Sequence, residues 1–153
     1  MIYSIDNLIE SIAAQLKTVY PDLPVYDSYT LQGCKYPCFF VFLMPSNISD
    51  QIDRVDKREI FFDVVFVQER NAPNAYGTLY TIADSLDELL DVVNYTADGE
   101  TVPLHTHERN YSIDDQELHY KIKIIARVSR PYTPNPMQTE ETDVGIKEGK
   151  KTG

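Results

Sequence analysis

Residues 36–44 and 59–68 carry apolar side chains at nearly every position. Side chains alternate across a strand, so Phe39, Val41 and Leu43 share one face of the first run and Phe40, Phe42 and Met44 the other. In the second run Ile60, Phe62, Val64 and Phe66 oppose Phe61, Val65 and Val67. The pattern predicts two long strands of a sheet that avoids water on both faces. A third strand is predicted over 117–129. There Leu118, Tyr120, Ile122, Ile124, Ala126 and Val128 face one way, and His119, Lys121, Lys123 and Arg127 face the other with Ile125 among them.

Helical spacing appears twice. Ile5, Leu8, Ile9, Ile12, Leu16 and Val19 make one apolar stripe, with Ser4 as N-cap and Asp6 in the first turn. This predicts a helix over 5–19 that stops before Pro21 and Pro24. Asn71 and Pro73 are expected to open the second helix, with the proline in its first turn. Its stripe is Leu79, Ile82, Ala83, Leu86, Leu89, Leu90 and Val93; Gly77 weakens its start by about 1 kcal/mol relative to alanine. A short edge strand is predicted over 25–31 and a further strand over 102–112. Asp98-Gly99 and Asp114-Asp115 read as turns. Residues 48–58, polar and charged, read as a link between the two long strands, which should pair as an antiparallel hairpin.

Strands and helices do not alternate, so the fold class is α+β: a mainly antiparallel sheet of four to six strands with two helices on one face. Two helices, each ~10 Å across, cover about four strands at ~4.8 Å spacing. One sheet face is then covered and the other is left over. Its cover is either a barrel-like closure or helices on both sides, or else other subunits, the reading favoured here because large exposed apolar patches usually mark interfaces.

The length of 153 residues fits one domain with a substantial core. Residues 1–131 are expected to form it. Residues 132–153, rich in Pro, Gly, Thr, Glu and Lys, read as a polar extension, flexible or ordered only on a partner. No apolar run approaches a membrane span, and no signal-peptide pattern follows Met1. A formal charge of -10 argues against general nucleic-acid binding. Two cysteines make no disulfide framework, and with no secretion signal they point to a reducing compartment.

Catalytic motifs are missing: there is no G-x-S-x-G, no phosphate-cradling glycine loop and no H-E-x-x-H. No catalytic residue, cofactor or metal site is assigned. The nearest metal candidate, Cys34, Cys38, His105 and His107, has weak spacing for zinc and is better read as two structural cysteines and two surface histidines. The acidic stripe Asp84, Asp87, Glu88 and Asp91 reads as a solvated helix face, with ion pairing across a subunit contact or a divalent ion as the alternatives. Asp63 interrupts an apolar strand face and needs water or a cation. The basic stripe Lys121, Lys123 and Arg127 is either solvated or paired with acidic groups, on a neighbour or at Asp63. The link residues Asp50, Asp53, Arg54, Asp56, Lys57 and Arg58 form either a solvated loop or an arm that docks on another subunit. Together these ten residues, Asp50, Asp53, Arg54, Asp56, Lys57, Arg58, Asp63, Lys121, Lys123 and Arg127, are the candidate subunit or tube interface.

The segment YPCFFVFLMPS at 36–46, the charged link with Arg54, and FFDVVFV at 61–67 resemble the tail terminator family of tailed phages, in the form found in phages and prophage-like tail elements of Gram-positive bacteria. The opening helix and the RVSRP ending at 127–131 fit the same pattern. The resemblance implies a structural protein, not an enzyme. It implies a ring, typically of six subunits, on the head-proximal end of the tail tube. Such a ring stops tube growth and offers a docking surface to head or neck, and to the sheath where the tail contracts. The implied partners are copies of itself, the tube protein, and sheath and neck or head-connector proteins, with no membrane and no specific nucleic-acid binding. DNA would pass through the ring, which a negative charge suits. The implied location is the virion tail or a phage-like particle, assembled in the host cytoplasm. A head–tail joining protein or other neck or tube component is the alternative; a small metal-binding regulatory domain is the more distant one.

Overall fold

The computed structural model describes residues 4–28, 33–52 and 55–129. Its element order is α1 (Ile5–Val19), β1 (Val25–Tyr26), β2 (Cys38–Leu43), β3 (Asn47–Asp50), β4 (Val55–Val67), α2 (Ala75–Leu89), β5 (Val92–Ala97), β6 (Glu100–Asp114) and β7 (Glu117–Ser129). The sheet runs β1-β2-β4-β7-β6-β5, with β3 also paired to β4. Among the described residues only β1 and β2 pair in parallel. The α+β class therefore holds, with seven strands among the described residues rather than four to six. The expected extension at 132–153, and most of the strand expected beyond Tyr26, lie outside the described residues.

Helix α1 has the bounds its stripe predicts. Ser4 Oγ accepts from the Asn7 amide at 3.3 Å, a cap contributing about 1 kcal/mol. Helix α2 starts later than expected. Pro73 precedes its N-cap, Asn74, which sits in the left-handed region at φ 52° and makes no side-chain cap. A Cβ at Gly77 would meet only the side-chain amide of Asn74, which is exposed and makes no cap, so the glycine's cost is chiefly one of helix propensity.

The predicted polar link is the largest correction. Residues 47–50 form β3, and 55–59 are the first part of β4, paired to β3 on one side and to β7 on the other, so the described part of the link is an arm that extends the sheet. Strands β2 and β3 lie one after the other along the same side of β4. Between them the chain kinks at Pro45, where the Met44 amide bonds the Phe61 carbonyl at 2.8 Å and Ser46 Oγ accepts from the Phe61 amide at 3.2 Å. On its other side β4 pairs with β7 along its whole length, from Val55↔Ser129 to Val67↔Glu117.

Strand β6 serves two partners. Residues 100–105 pair with β5, and 106–114 with β7, the latter interrupted by a bulge between His107 and Asn110. Asp98 and Gly99 both have positive φ, the geometry that lets a two-residue hairpin follow strand twist. The β6–β7 turn uses Asp115 and Gln116 in the same way, one residue later than expected.

Both helices pack on one sheet face. Leu8, Ile12 and Leu16 of α1 and Leu79, Ile82, Ala83 and Leu86 of α2 bury against Phe39, Val41, Phe62, Val64, Tyr120 and Ile122. Helix α1 also seals the β5 edge of the sheet. Gln15 Oε1 accepts from the Asn94 amide at 3.0 Å, and Ser11 Oγ from the Thr96 amide at 3.1 Å. These amides would otherwise be an open strand edge. The opposite face is less bare than the sequence implies. Cys38, Phe40 and Val65 are fully or almost fully buried within the single chain, beside Tyr26, Cys34, Phe42 and Val67. Tyr26 lies 5.6 Å from Phe40, and Phe42 stacks on it at 5.3 Å.

Candidate functional site

The face opposite the helices is built from two neighbouring rows. Residues opposed in an antiparallel pair share a face, so β4 contributes Lys57, Glu59, Phe61 and Asp63 opposite Arg127, Ile125, Lys123 and Lys121 of β7. The side-chain contacts do not follow these direct oppositions. Asp63 is 7% exposed and pairs with His119, Nδ1 to Oδ2 at 2.9 Å, on the diagonal rather than with Lys121 directly across. His119 Nε2 also lies 3.5 Å from Glu117 Oε1. The other Asp63 oxygen is buried and has no hydrogen-bond partner among the described residues. Asp63 thus meets a histidine rather than the basic stripe, whose pairing with it was one of the alternatives open in the sequence.

Lys123 does pair as the stripe reading allowed, within the chain. Its ammonium sits 2.7 Å from Glu59 Oε2, bonds Glu108 as well, and lies 5.8 Å from the centre of the Phe61 ring. Hydrogen bonds to Glu108 and Glu59 raise the lysine pKa, and the bond from Lys123 lowers that of Glu59. Lys121 has no ion pair among the described residues. Arg127 is exposed at the far end of β7.

The arm carries most of the other candidates. Asp50 is exposed on β3, and Asp56, Lys57 and Arg58 are half-buried on β4; Asp53 and Arg54 lie outside the described residues. All four β3 positions are exposed. Along β2, β3 and the arm tip, Leu43, Ile48 and Ile52 are 48%, 63% and 85% exposed. At the base of the arm a trough of about 260 Å³ opens between Met44, Pro45, Phe61, Lys121, Glu108 and Asn110. Exposed apolar side chains beside a cleft with few polar groups suit binding of another protein surface rather than bond-making chemistry.

The other candidates disperse. Cys38 ends β2 level with Val67 and Glu117, whereas His107 lies on β6 level with Lys123. Three strand spacings and several residues separate them, roughly 20 Å or more, so Cys34, Cys38, His105 and His107 do not converge. Burial pushes the Cys38 thiol up to about 11, which disfavours the thiolate that a ligand or nucleophile needs. Among the described residues no three His, Cys, Asp or Glu side chains form a metal-binding group. Of the acidic helix stripe, Asp87 and Asp91 are held within the chain by Arg109, at 3.2 and 2.6 Å. Tyr120, 1% exposed, donates its hydroxyl to Asp87 at 2.8 Å, and burial raises its pKa well above the usual phenol value.

His119, Glu59, Glu108 and Arg109 are thus the residues that pattern reading missed. Only register could have revealed the first two, and only the β6 bulge the last two.

No helix among the described residues is long and apolar enough to cross a membrane. A search among curated proteins finds no match. The phage tail terminator protein family matches residues 7–136, which takes in α1 beyond its first two residues, α2 and the seven strands described. On that coverage the chain belongs to the phage tail terminator family, whose members are structural components of the phage tail.

Proposed function

We propose that the protein closes the head-proximal end of a tail tube as a ring of identical subunits, six by family likeness, and so ends tube growth. The observation that carries this reading is an asymmetry between the two sides of the sheet. One face is covered by helices and the β5 edge is sealed by α1, while the β2–β3 side leaves Leu43, Ile48 and Ile52 in water. A chain that seals one edge and leaves apolar residues along the other is suited to add neighbours on one side only. Capping requires no bond-making step. The subunit must match the tube on one side and withhold a growing surface on the other. Head or neck proteins then dock on the ring, and sheath too where the tail contracts. The core domain at 1–131 carries the ring, and the acidic net charge keeps DNA from adhering as it passes.

Light scattering on protein eluting from a sizing column, alone and with tube protein, tests this. The expected result is a closed assembly of several copies, formed alone or on tube ends. A chain that stays monomeric with tube protein present overturns it.

A further inference from the structure

Two charged pairs of opposite sign lie on opposite sides of the molecule. Lys57 of β4 and Arg127 of β7 are directly opposed on the face away from the helices. Like charges so placed repel and weaken the strand pairing. Neither forms an ion pair among the described residues. Glu59, the next residue along that face of β4, feels the Lys57 charge, but its carboxylate bonds Lys123 at 2.7 Å.

On α2 the exposed residues Tyr76, Tyr80, Asp84 and Glu88 recur at every fourth position and form one ridge. The two tyrosine rings are 6.4 Å apart and more than half exposed. Asp87 and Asp91 are held by Arg109, whereas Asp84 and Glu88 make no ion pair among the described residues. The ridge points away from the sheet, because Leu79, Ile82, Ala83 and Leu86 face it. It cannot reach Lys57 and Arg127 of its own chain: the sheet and the ~10 Å width of the helix lie between.

A second copy matches in spacing as well as in sign. Phe61, with Met44 and Pro45, gives the trough its apolar wall. It stands four residues along β4 from Lys57, about 13 Å. From the middle of the tyrosine pair to the middle of the acidic pair is eight residues of helix, about 12 Å. A ridge laid along β4 therefore sets its tyrosines at the trough when its carboxylates reach Lys57 and Arg127.

We infer that the α2 ridge of one copy docks along the β4–β7 face of the next, with Tyr76 and Tyr80 against Phe61 and with Asp84 and Glu88 at Lys57 and Arg127. The contact is heterologous: each subunit gives one surface and receives on another, the arrangement that generates a ring when the rotation closes. The inference rests on the ring reading above and adds the pair of surfaces that builds it.

Charge reversal in the full-length chain tests it. One variant carries Lys57→Glu with Arg127→Glu, the other Asp84→Lys with Glu88→Lys. These side chains are exposed or half-buried, so thermal unfolding of each monomer should match the unchanged protein. Lys57→Gln and Glu88→Gln, which only remove charge, stand in for a reversal that fails to fold and should weaken assembly in the same direction. Each reversed variant alone should need a roughly tenfold or higher concentration to assemble, because like charges then meet. Mixed in equal amounts the two should assemble as the unchanged protein does, since every ridge again finds a face of opposite sign. Tyr80→Ser should weaken assembly by a similar factor, roughly tenfold, through lost aromatic burial. Assembly unchanged in the charge variants, or no recovery on mixing folded variants while the unchanged protein assembles, overturns the contact and leaves the ring standing. A protein that never assembles, even with tube protein, removes both readings.

Discussion

Gln15 is the side chain on which the sealed edge depends. Its amide nitrogen donates to the Leu89 and Val92 carbonyls, both at 2.6 Å, and its oxygen accepts from the Asn94 amide. One residue thus ties α1 to the end of α2 and to the outer edge of β5. Replacing Gln15 with alanine removes three hydrogen bonds. At about 1 kcal/mol net each, discounted because the side chain is only half-buried, the loss is about 2 kcal/mol. For a chain of this size that lowers Tm by about 4–8 °C. Far-UV circular dichroism during heating reads the shift. Hydrogen exchange should show the Asn94 and Thr96 amides losing protection ahead of the rest of the sheet. Gln15→Glu is a sharper probe. Its carboxylate faces two carbonyl oxygens, so the folded state raises its pKa above the unfolded value of about 4.3. The deficit relative to the unchanged protein is then full above the raised folded pKa and shrinks as pH falls through it towards the unfolded value, where both states are protonated. A Tm for Gln15→Ala within about 1 °C of the unchanged protein, with Asn94 exchange unaffected, would refute the sealing argument.

Two further outcomes follow from the structure. Tyr120→Phe should cost about 1 kcal/mol, and Arg109→Ala a similar amount because both its carboxylate partners are well exposed. Their effects should not add in a double-mutant cycle, since both side chains bond Asp87; strict additivity would contradict the shared contact. Under native conditions a thiol reagent should label Cys34, which is partly exposed, long before Cys38, which is buried with a thiol pKa of about 11. Equal labelling rates would mean that the second small cluster is open.

The parts of the fold that were legible are those where burial writes a period into the sequence. Helix α1 and strand β7 match their predicted bounds because one side of each is fully apolar. Strand β3 left no such trace: every position in it is exposed, so a paired strand reads as a polar link. The start of α2 was misplaced because proline in a first turn and proline just before an N-cap look the same in sequence. The doubly apolar strands did signal a second face, yet Phe40 and Val65 find cover inside the chain, and the exposed apolar surface lies along β2, β3 and the arm instead. Asp63 was legible as a carboxylate needing a partner, but not the partner itself. His119 reaches it through the β4–β7 register, which no local pattern specifies. The link residues were named for their charge, whereas the structure adds Ile48 and Ile52 as the apolar part of the same arm.

The central claim, that this chain ends tube growth, is tested most directly by electron microscopy of tails from particles made without it. Tubes much longer than normal and variable in length are the predicted result, with lengths restored when the protein is supplied. Tubes of normal length that merely lack heads would contradict the account and assign the chain to head–tail joining instead.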